Sequence, residues 1–132
     1  MDYLLDTNIC IHLFKGQFKL REKINTVGID KCAISEITLS ELYYGAEKSQ
    51  KKTQNKKVIE DFSKKISILP IFNSIKIYAK EKARLKTKGK IISDLDLFIG
   101  ASAVANDMIL VTRNLKDFQR IEGLRIENWI DD

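Results

Sequence analysis

A single proline and six glycines in 132 residues exclude a proline-rich, collagen-like or low-complexity chain. No apolar run approaches the roughly 20 residues a membrane helix requires. The amino terminus lacks the basic-then-apolar layout of a signal peptide. The chain has two cysteines, Cys10 and Cys32, and one histidine, His12; such a set is a poor one for zinc. Both cysteines lie in apolar surroundings and read as small buried residues of a cytoplasmic protein, with a disulfide the less favoured alternative. His12, between Ile11 and Leu13 on an expected helix, reads as structural. There is no Walker loop, no Gly-x-Ser-x-Gly elbow and no Gly-x-Gly-x-x-Gly. A phosphatase working through an aspartyl-phosphate calls for a second Asp at position 8, where Asn8 stands.

What is present is enough for one domain with a genuine core: 44% of residues are hydrophobic and 31% charged. The net charge is +5, unevenly spread. Residues 48–90 hold 14 Lys and Arg against 3 acids, and the remainder holds 9 against 15. A basic middle between acidic ends points to a polyanion partner, nucleic acid first, although Lys-rich helix faces are often merely solvated. Lys51, Lys52, Lys56 and Lys57 are the candidate RNA contacts.

Short apolar runs alternate with helical patterns. Tyr3 to Leu5 reads as a buried strand, followed by a helix Ile9 to Phe14 capped by Thr7 or Asn8. Lys19 to Val27 is a second helix, ended by Gly28. Lys31 to Ile34 is a strand, and Ser35 or Thr38 opens the next helix. Val58, Ile59, Phe62 and Ile66 stripe another helix. Ile68 to Ile71 is a strand interrupted by Pro70. Asn73 is expected to cap a helix whose Ile75, Tyr78, Ala79 and Leu85 face inward. Leu97 to Ala105 is apolar on nearly every side, as a central helix is. Met108 to Val111 and Leu124 to Ile126 complete the strands. This alternation predicts a single α/β domain spanning residues 1–132, a three-layer α/β/α sandwich with a mainly parallel sheet.

Four acids fall at or shortly after strand ends: Asp6, Glu41, Asp96 and Asp117. In open α/β sheets that edge is where ligands bind. Four carboxylates in one cleft repel unless a cation neutralises them. Oxygen ligands without a Cys or His cluster favour Mg²⁺, with Mn²⁺ as the alternative, and such ions activate water and stabilise charge on a phosphoryl oxygen. Each acid alone has a plainer reading. Asp6 fits a turn, Glu41 a capping box with Thr38, Asp96 a box with Ser93, and Asp117 a short helix. Asp94 and Asp96 are ~200° apart on a helix, so both cannot face one point; Asp96 is the better ligand and Asp94 a cap or outer acid. Thr112 and Asn114 end a strand nearby and are auxiliary candidates.

Taken together, Leu4-Leu5-Asp6-Thr7-Asn8, Ser35-x-x-Thr38-x-x-Glu41-Leu42-x-x-Gly45, Asp96-x-x-Ile99-x-Ala101 and Val111-Thr112-x-Asn114-x-x-Asp117-Phe118 resemble PIN-domain ribonucleases, and the bacterial VapC toxins most of all. Tyr44-Gly45-Ala46-Glu47-Lys48-Ser49 and the ending Ile121-x-Gly123-Leu124-x-Ile126-Glu127-x-Trp129 are similar to theirs too. Gly100 departs from the family's usual Ala. The resemblance implies Mg²⁺-dependent endonucleolytic cleavage of structured RNA, tRNA favoured, with Asp6, Glu41 and Asp96 as the acidic centre and Asp117 as a fourth, more variable acid. It also implies a VapB-like antitoxin whose tail blocks the cleft, a homodimer, toxin–antitoxin hetero-oligomers, and operator DNA reached only through the antitoxin. Two other functions compete: a PIN-like nuclease acting on DNA or in RNA processing, and a non-catalytic RNA-binding module.

Overall fold

A computed structural model of the chain describes residues 2–131. Five short strands, β1 (Tyr3–Leu5), β2 (Cys32–Ser35), β3 (Ser67–Leu69), β4 (Ile109–Val111) and β5 (Arg125–Glu127), pair in parallel in the order β3-β2-β1-β4-β5. The connections carry helices α1 (Thr7–Phe14), α2 (Leu20–Val27), α3 (Glu36–Glu47), α4 (Lys52–Ser63), α5 (Ile75–Thr87), α6 (Asp94–Ala105) and α7 (Leu115–Phe118). The expected sandwich is present, and its strand residues alternate between the two helical layers. Leu4, Ala33 and Leu110 enter the core that holds Leu85, Leu97 and Phe118. Leu5, Ile34 and Val111 enter the opposite core with Ile9, Leu20 and Ile59. Burial on both faces is why the strands read as unbroken apolar runs. No helix among the described residues is long and apolar enough to cross a membrane.

Several element boundaries differ from the sequence reading, each for a local reason. β3 stops at Leu69, before Pro70, and sits at the sheet edge, where a missing N–H is tolerated. Asn73 does not cap α5. A 3₁₀ turn, Phe72–Ser74, leads into the helix, and the Ser74 hydroxyl donates back to the Ile71 carbonyl at 2.6 Å. α6 starts at Asp94 rather than Leu97, because Ser93 caps it by accepting from the Asp96 N–H at 3.2 Å. The inward face of α5 also differs: Ile75 is 44% exposed, while Glu81 is 4% exposed beside Leu85. A buried carboxylate survives there because Arg84 donates from Nε and Nη2 to its two oxygens, each at 2.8 Å. The Glu122 N–H adds a third bond at 2.7 Å, and Arg84 Nη2 reaches the Arg120 carbonyl at 2.7 Å. The pair therefore ties α5 to the segment that follows α7. The hydrogen bonds from Arg84 hold the Glu81 carboxyl below the usual carboxylate range.

Gly100 has a packing reason. A Cβ built there would overlap Ile121 Cδ1 and would touch Phe118 and Leu124, each at 3.5 Å. Ile121 fills the volume that an alanine methyl would occupy. Gly100→Ala gains up to ~1 kcal/mol of helix propensity and loses ~1–3 kcal/mol to overpacking. A lower urea midpoint is therefore expected for the single variant. Adding Ile121→Val, which deletes the colliding methyl, should make the double variant at least as stable as Ile121→Val alone. A Gly100→Ala loss that persists unchanged in the Ile121→Val background would show that the Ile121 methyl is not its source.

Candidate active site

The chain runs outward from β1 through β2 to β3, then jumps back to place β4 on the other side of β1. The carboxyl end of β1 and β4 is thus the point where strand order reverses and a crevice opens. The register pairs Leu5 with Val111, so the next residues, Asp6 and Thr112, leave the sheet side by side. The Asp6 N–H closes the row by donating to the Val111 carbonyl at 3.0 Å. Thr112, fully buried, donates its hydroxyl to Asp6 Oδ2 at 2.8 Å, and the Thr7 N–H donates to Oδ1 at 2.8 Å. Asp6 is itself the N-cap of α1, in place of the expected Thr7 or Asn8. Capping the helix and facing the crevice are compatible roles, since a carboxylate held at both oxygens is fixed in place.

Glu41 arrives from α3. Ser35, not Thr38, caps that helix, so Thr38 lies inside it and the Thr38–Glu41 capping box does not form. The Thr7 hydroxyl instead lies 2.7 Å from Glu41 Oε1 and 3.1 Å from the Thr38 hydroxyl, which is fully buried. Thr7 and Thr38 are positioning residues that sequence reasoning did not assign to the site. The available signal was Thr38 lying three residues before Glu41, on one helix face. Asp96 comes from the first turn of α6, where Ser93 caps the helix. Asp94 points elsewhere: its Oδ1 accepts from Tyr78 at 2.8 Å and from Lys82 at 2.7 Å. The two acids take different directions, as the helical spacing requires, and Asp96 is the one that feels the other site acids. Asp117 lies in the first turn of α7, whose cap is Asn114. Asn114 Nδ2 donates to Asp117 Oδ2 at 3.3 Å, and Arg120 Nη1 lies 3.7 Å from Asp117 Oδ1. Asp117 is thus a rim acid with its own cation.

Burial, opposed by hydrogen bonds from Thr112 and Thr7 and reinforced by the charges of Asp96 and Glu41, pushes the Asp6 carboxyl up from 3.8 to about 6. Asp96 is raised by burial, then by Glu41 and Asp117, against the Ser93 hydroxyl. Among the described residues no cation offsets either of them. Like-charged acids partly withdrawn from water are a stored demand for an external cation. The donors are oxygens only. Burial pushes the Cys32 thiol up to about 11 and raises that of Cys10 as well, so neither offers a thiolate. His12 Nδ1 is engaged by Gln17 at 2.7 Å. This set fits Mg²⁺ or Mn²⁺ and not zinc. Among the described residues no three His, Cys, Asp or Glu side chains come close enough together to hold a metal ion; Asp6 and Glu41 are instead held by hydroxyl and amide partners.

Of the four lysines read from the sequence as RNA contacts, Lys56 pairs with Glu47, and Lys57 with Asp61 at 3.1 Å. Lys51 and Lys52 are exposed at the head of α4.

Residues 3–124 match the PIN domain family. Ribonuclease VapC2 of Haemophilus influenzae is 39% identical over 98% of this chain and 99% of its own. The tRNA(fMet)-specific endonuclease VapC of Shigella flexneri is 37% identical, with 98% of each chain covered. The crystal structure of VapBC2 from Rickettsia felis, bound to a DNA fragment from their promoter, contains a chain of the same fold. Its TM-score is 0.90 at 36% identity, covering 98% of this chain and 99% of that one. The chain belongs to the PIN-domain family, among its VapC ribonucleases. Nucleases of this family generally depend on divalent metal, in keeping with the uncompensated acids described above.

The Asp6 environment has a measurable consequence for the metal-free protein. A folded-state value of about 6 lies above the ordinary 3.8, so the ionised carboxylate opposes folding. The penalty is absent below the unfolded value, grows between the two, and is fully present above the folded value, where it reaches about 3 kcal/mol. Asp6→Asn should therefore stabilise the chelator-treated protein near about pH 8, with the difference fading toward about pH 4. Denaturant titrations across that range check it. A gap that does not change with pH would contradict the burial of a charge at Asp6.

Proposed function

We propose that this VapC-family ribonuclease is an endonuclease toxin that cuts structured RNA, tRNA by preference, with Mg²⁺ as its metal and Mn²⁺ able to substitute. The observation that supports the reading is that Asp6, Glu41 and Asp96, carried on three separate connections, lie near enough for the charges of Asp96 and Glu41 to raise the Asp6 carboxyl, with no cation among the described residues to offset them. When bound, a divalent cation supplies a water of lowered pKa and neutralises charge on a phosphoryl oxygen. Asp6, Glu41 and Asp96 would hold it. Thr112 and the Thr7 N–H fix the Asp6 oxygens, and the Thr7 hydroxyl fixes Glu41. Asp117 and Asn114 form the outer rim and order the approach to the crevice. Asp94, bound to Lys82 and Tyr78, takes no part in the chemistry.

Control by a VapB-like antitoxin has a surface to use. Ile11, Phe14, Leu42, Ala46 and Ile59 line a groove of about 490 Å³ that ends at Glu41. It continues past Phe14 into a second hollow of about 540 Å³ beside Ile24 and Phe62. An amphipathic antitoxin segment laid along this track would bring an Arg or Lys to Glu41 and compete with the metal for its carboxylate. The VapBC2 complex of Rickettsia felis, bound to a DNA fragment from their promoter, supports a toxin–antitoxin hetero-oligomer; we assign the contact with operator DNA to the antitoxin. Exposed Phe72 and Ile75, at 78% and 44%, support a homodimer through that apolar end.

Cleavage of a tRNA pool with and without Mg²⁺, mapped by sequencing the RNA ends, tests the reading. Chelation should stop cleavage. Asp6→Asn and Asp96→Asn should each lower it by about a hundredfold or more, since even neighbours of ligands cost ~10–100-fold. Glu41→Gln should be severely impaired and Asp117→Asn should need more metal. Wild-type rates in either Asn variant would sink the metal-site assignment. Equal cleavage of the matching DNA strand would favour a general nuclease, and tight binding without turnover an RNA-binding module.

A further inference from the structure

The structure assigns to this protein a phosphate-binding hollow for the RNA strand flanking the cleaved bond, built from Lys88, Lys90 and Lys116 around Arg84 and Arg120. It rests on the ribonuclease reading above and names where the substrate's backbone lies.

The hollow, about 380 Å³, is lined by Arg84, Lys88, Lys90, Lys116 and Arg120 with only Leu85 and Gln119 besides. No acid lines it. Two of the five cations are structural: Arg84 is spent on Glu81, and Arg120 donates to the Ile91 carbonyl at 3.2 Å and faces Asp117. The other three are exposed and have no carboxylate partner among the described residues. Their convergence is built by the chain. Gly89, at φ +67°, closes the end of α5. Its N–H donates to Lys86 at 3.1 Å, and that of Lys90 donates to Leu85 at 2.9 Å. This reversal folds Lys90 back beside Lys88. Lys116 is brought opposite by α7, and the Arg84–Arg120 bond fixes the two segments together. Three like charges held in one concavity repel each other, so the arrangement favours a polyanion.

Position selects the polyanion. Lys116 adjoins Asp117 in sequence, and Arg120 bridges the two regions, being a wall of the hollow and the partner of Asp117. A strand whose reacting phosphate sits among the carboxylates is repelled by them on either side. Arg120, shared by the hollow and the Asp117 rim, places the unpaired lysines of the hollow directly past that rim. The α4 lysines are poorer candidates, because two of the four are already paired with acids.

Binding of unfractionated tRNA to the Asp96→Asn protein, titrated over a range of salt, is the test, with Lys88→Gln/Lys90→Gln/Lys116→Gln introduced into that background. Each lost contact should reduce the slope of log K against log salt by ~0.7–0.9, so the triple change should flatten it by about 2 to 3. The triple Arg variant should keep the parent slope, which separates charge from shape. In the otherwise wild-type enzyme, the triple Gln change should raise KM and leave kcat nearly unchanged. An unchanged slope in a parent that does bind tRNA, or a loss of kcat alone, would overturn the hollow and leave the ribonuclease reading standing. A parent that binds no RNA, together with a wild-type enzyme that cuts none, would overturn both.

Discussion

The hydrogen bond from Thr112 to Asp6 joins the fold to its chemistry. It exists because β1 and β4 are paired in parallel with Leu5 opposite Val111, so that one residue later a carboxylate and a buried hydroxyl emerge together. The topological reversal of the sheet falls between the same two strands. Everything else in the site is arranged around this fixed carboxylate. α1 starts on it, Thr7 links it to Glu41, and α6 directs Asp96 toward it. Burial makes this placement costly, and that cost is what makes the crevice receptive to a cation.

The molecule handles two buried acids in opposite ways. Glu81 is given the fork of Arg84 and the Glu122 N–H of a neighbouring segment, and its charge becomes a fastening. Asp6 is given hydroxyl and amide donors but no cation, and its charge remains unanswered. A paired acid fastens two segments together, whereas an unpaired one beside other acids is a candidate site. The basic charge is segregated in the same manner. It is partly paired along α4, at Lys56 and Lys57, and left open where α5 meets α7, next to Asp117.

The sequence was most legible where a signal is local. The alternation of apolar runs with helical stripes specified the sandwich, and the position of Asp6 directly after Leu5 placed it at a strand end. The spacing of Asp6, Glu41, Asp96 and Asp117 at or after strand ends also points to one sheet edge. Legibility failed where the cause is long-range. Thr112 joins Asp6 through strand register, and Thr7 meets Thr38 and Glu41 through helix placement. Residue spacing carries neither. Glu81 read as one more acid on a Lys-rich face, because Arg84 three residues on looks solvated until the Arg120–Glu122 segment packs over it. Helix starts moved because caps act one or two residues ahead of the apolar stripe, as with Ser93 before α6.

The central claim is that the Asp6 carboxylate is buried among like charges and is relieved by a divalent cation. Its most direct measurement is the titration of the Asp6 side-chain carboxyl by carbon NMR in chelator, repeated with saturating Mg²⁺. The metal-free protein should show it titrating at about 6, and the metal should move it well below that. A midpoint near the ordinary 3.8 in chelator, unmoved by the ion, would contradict the account.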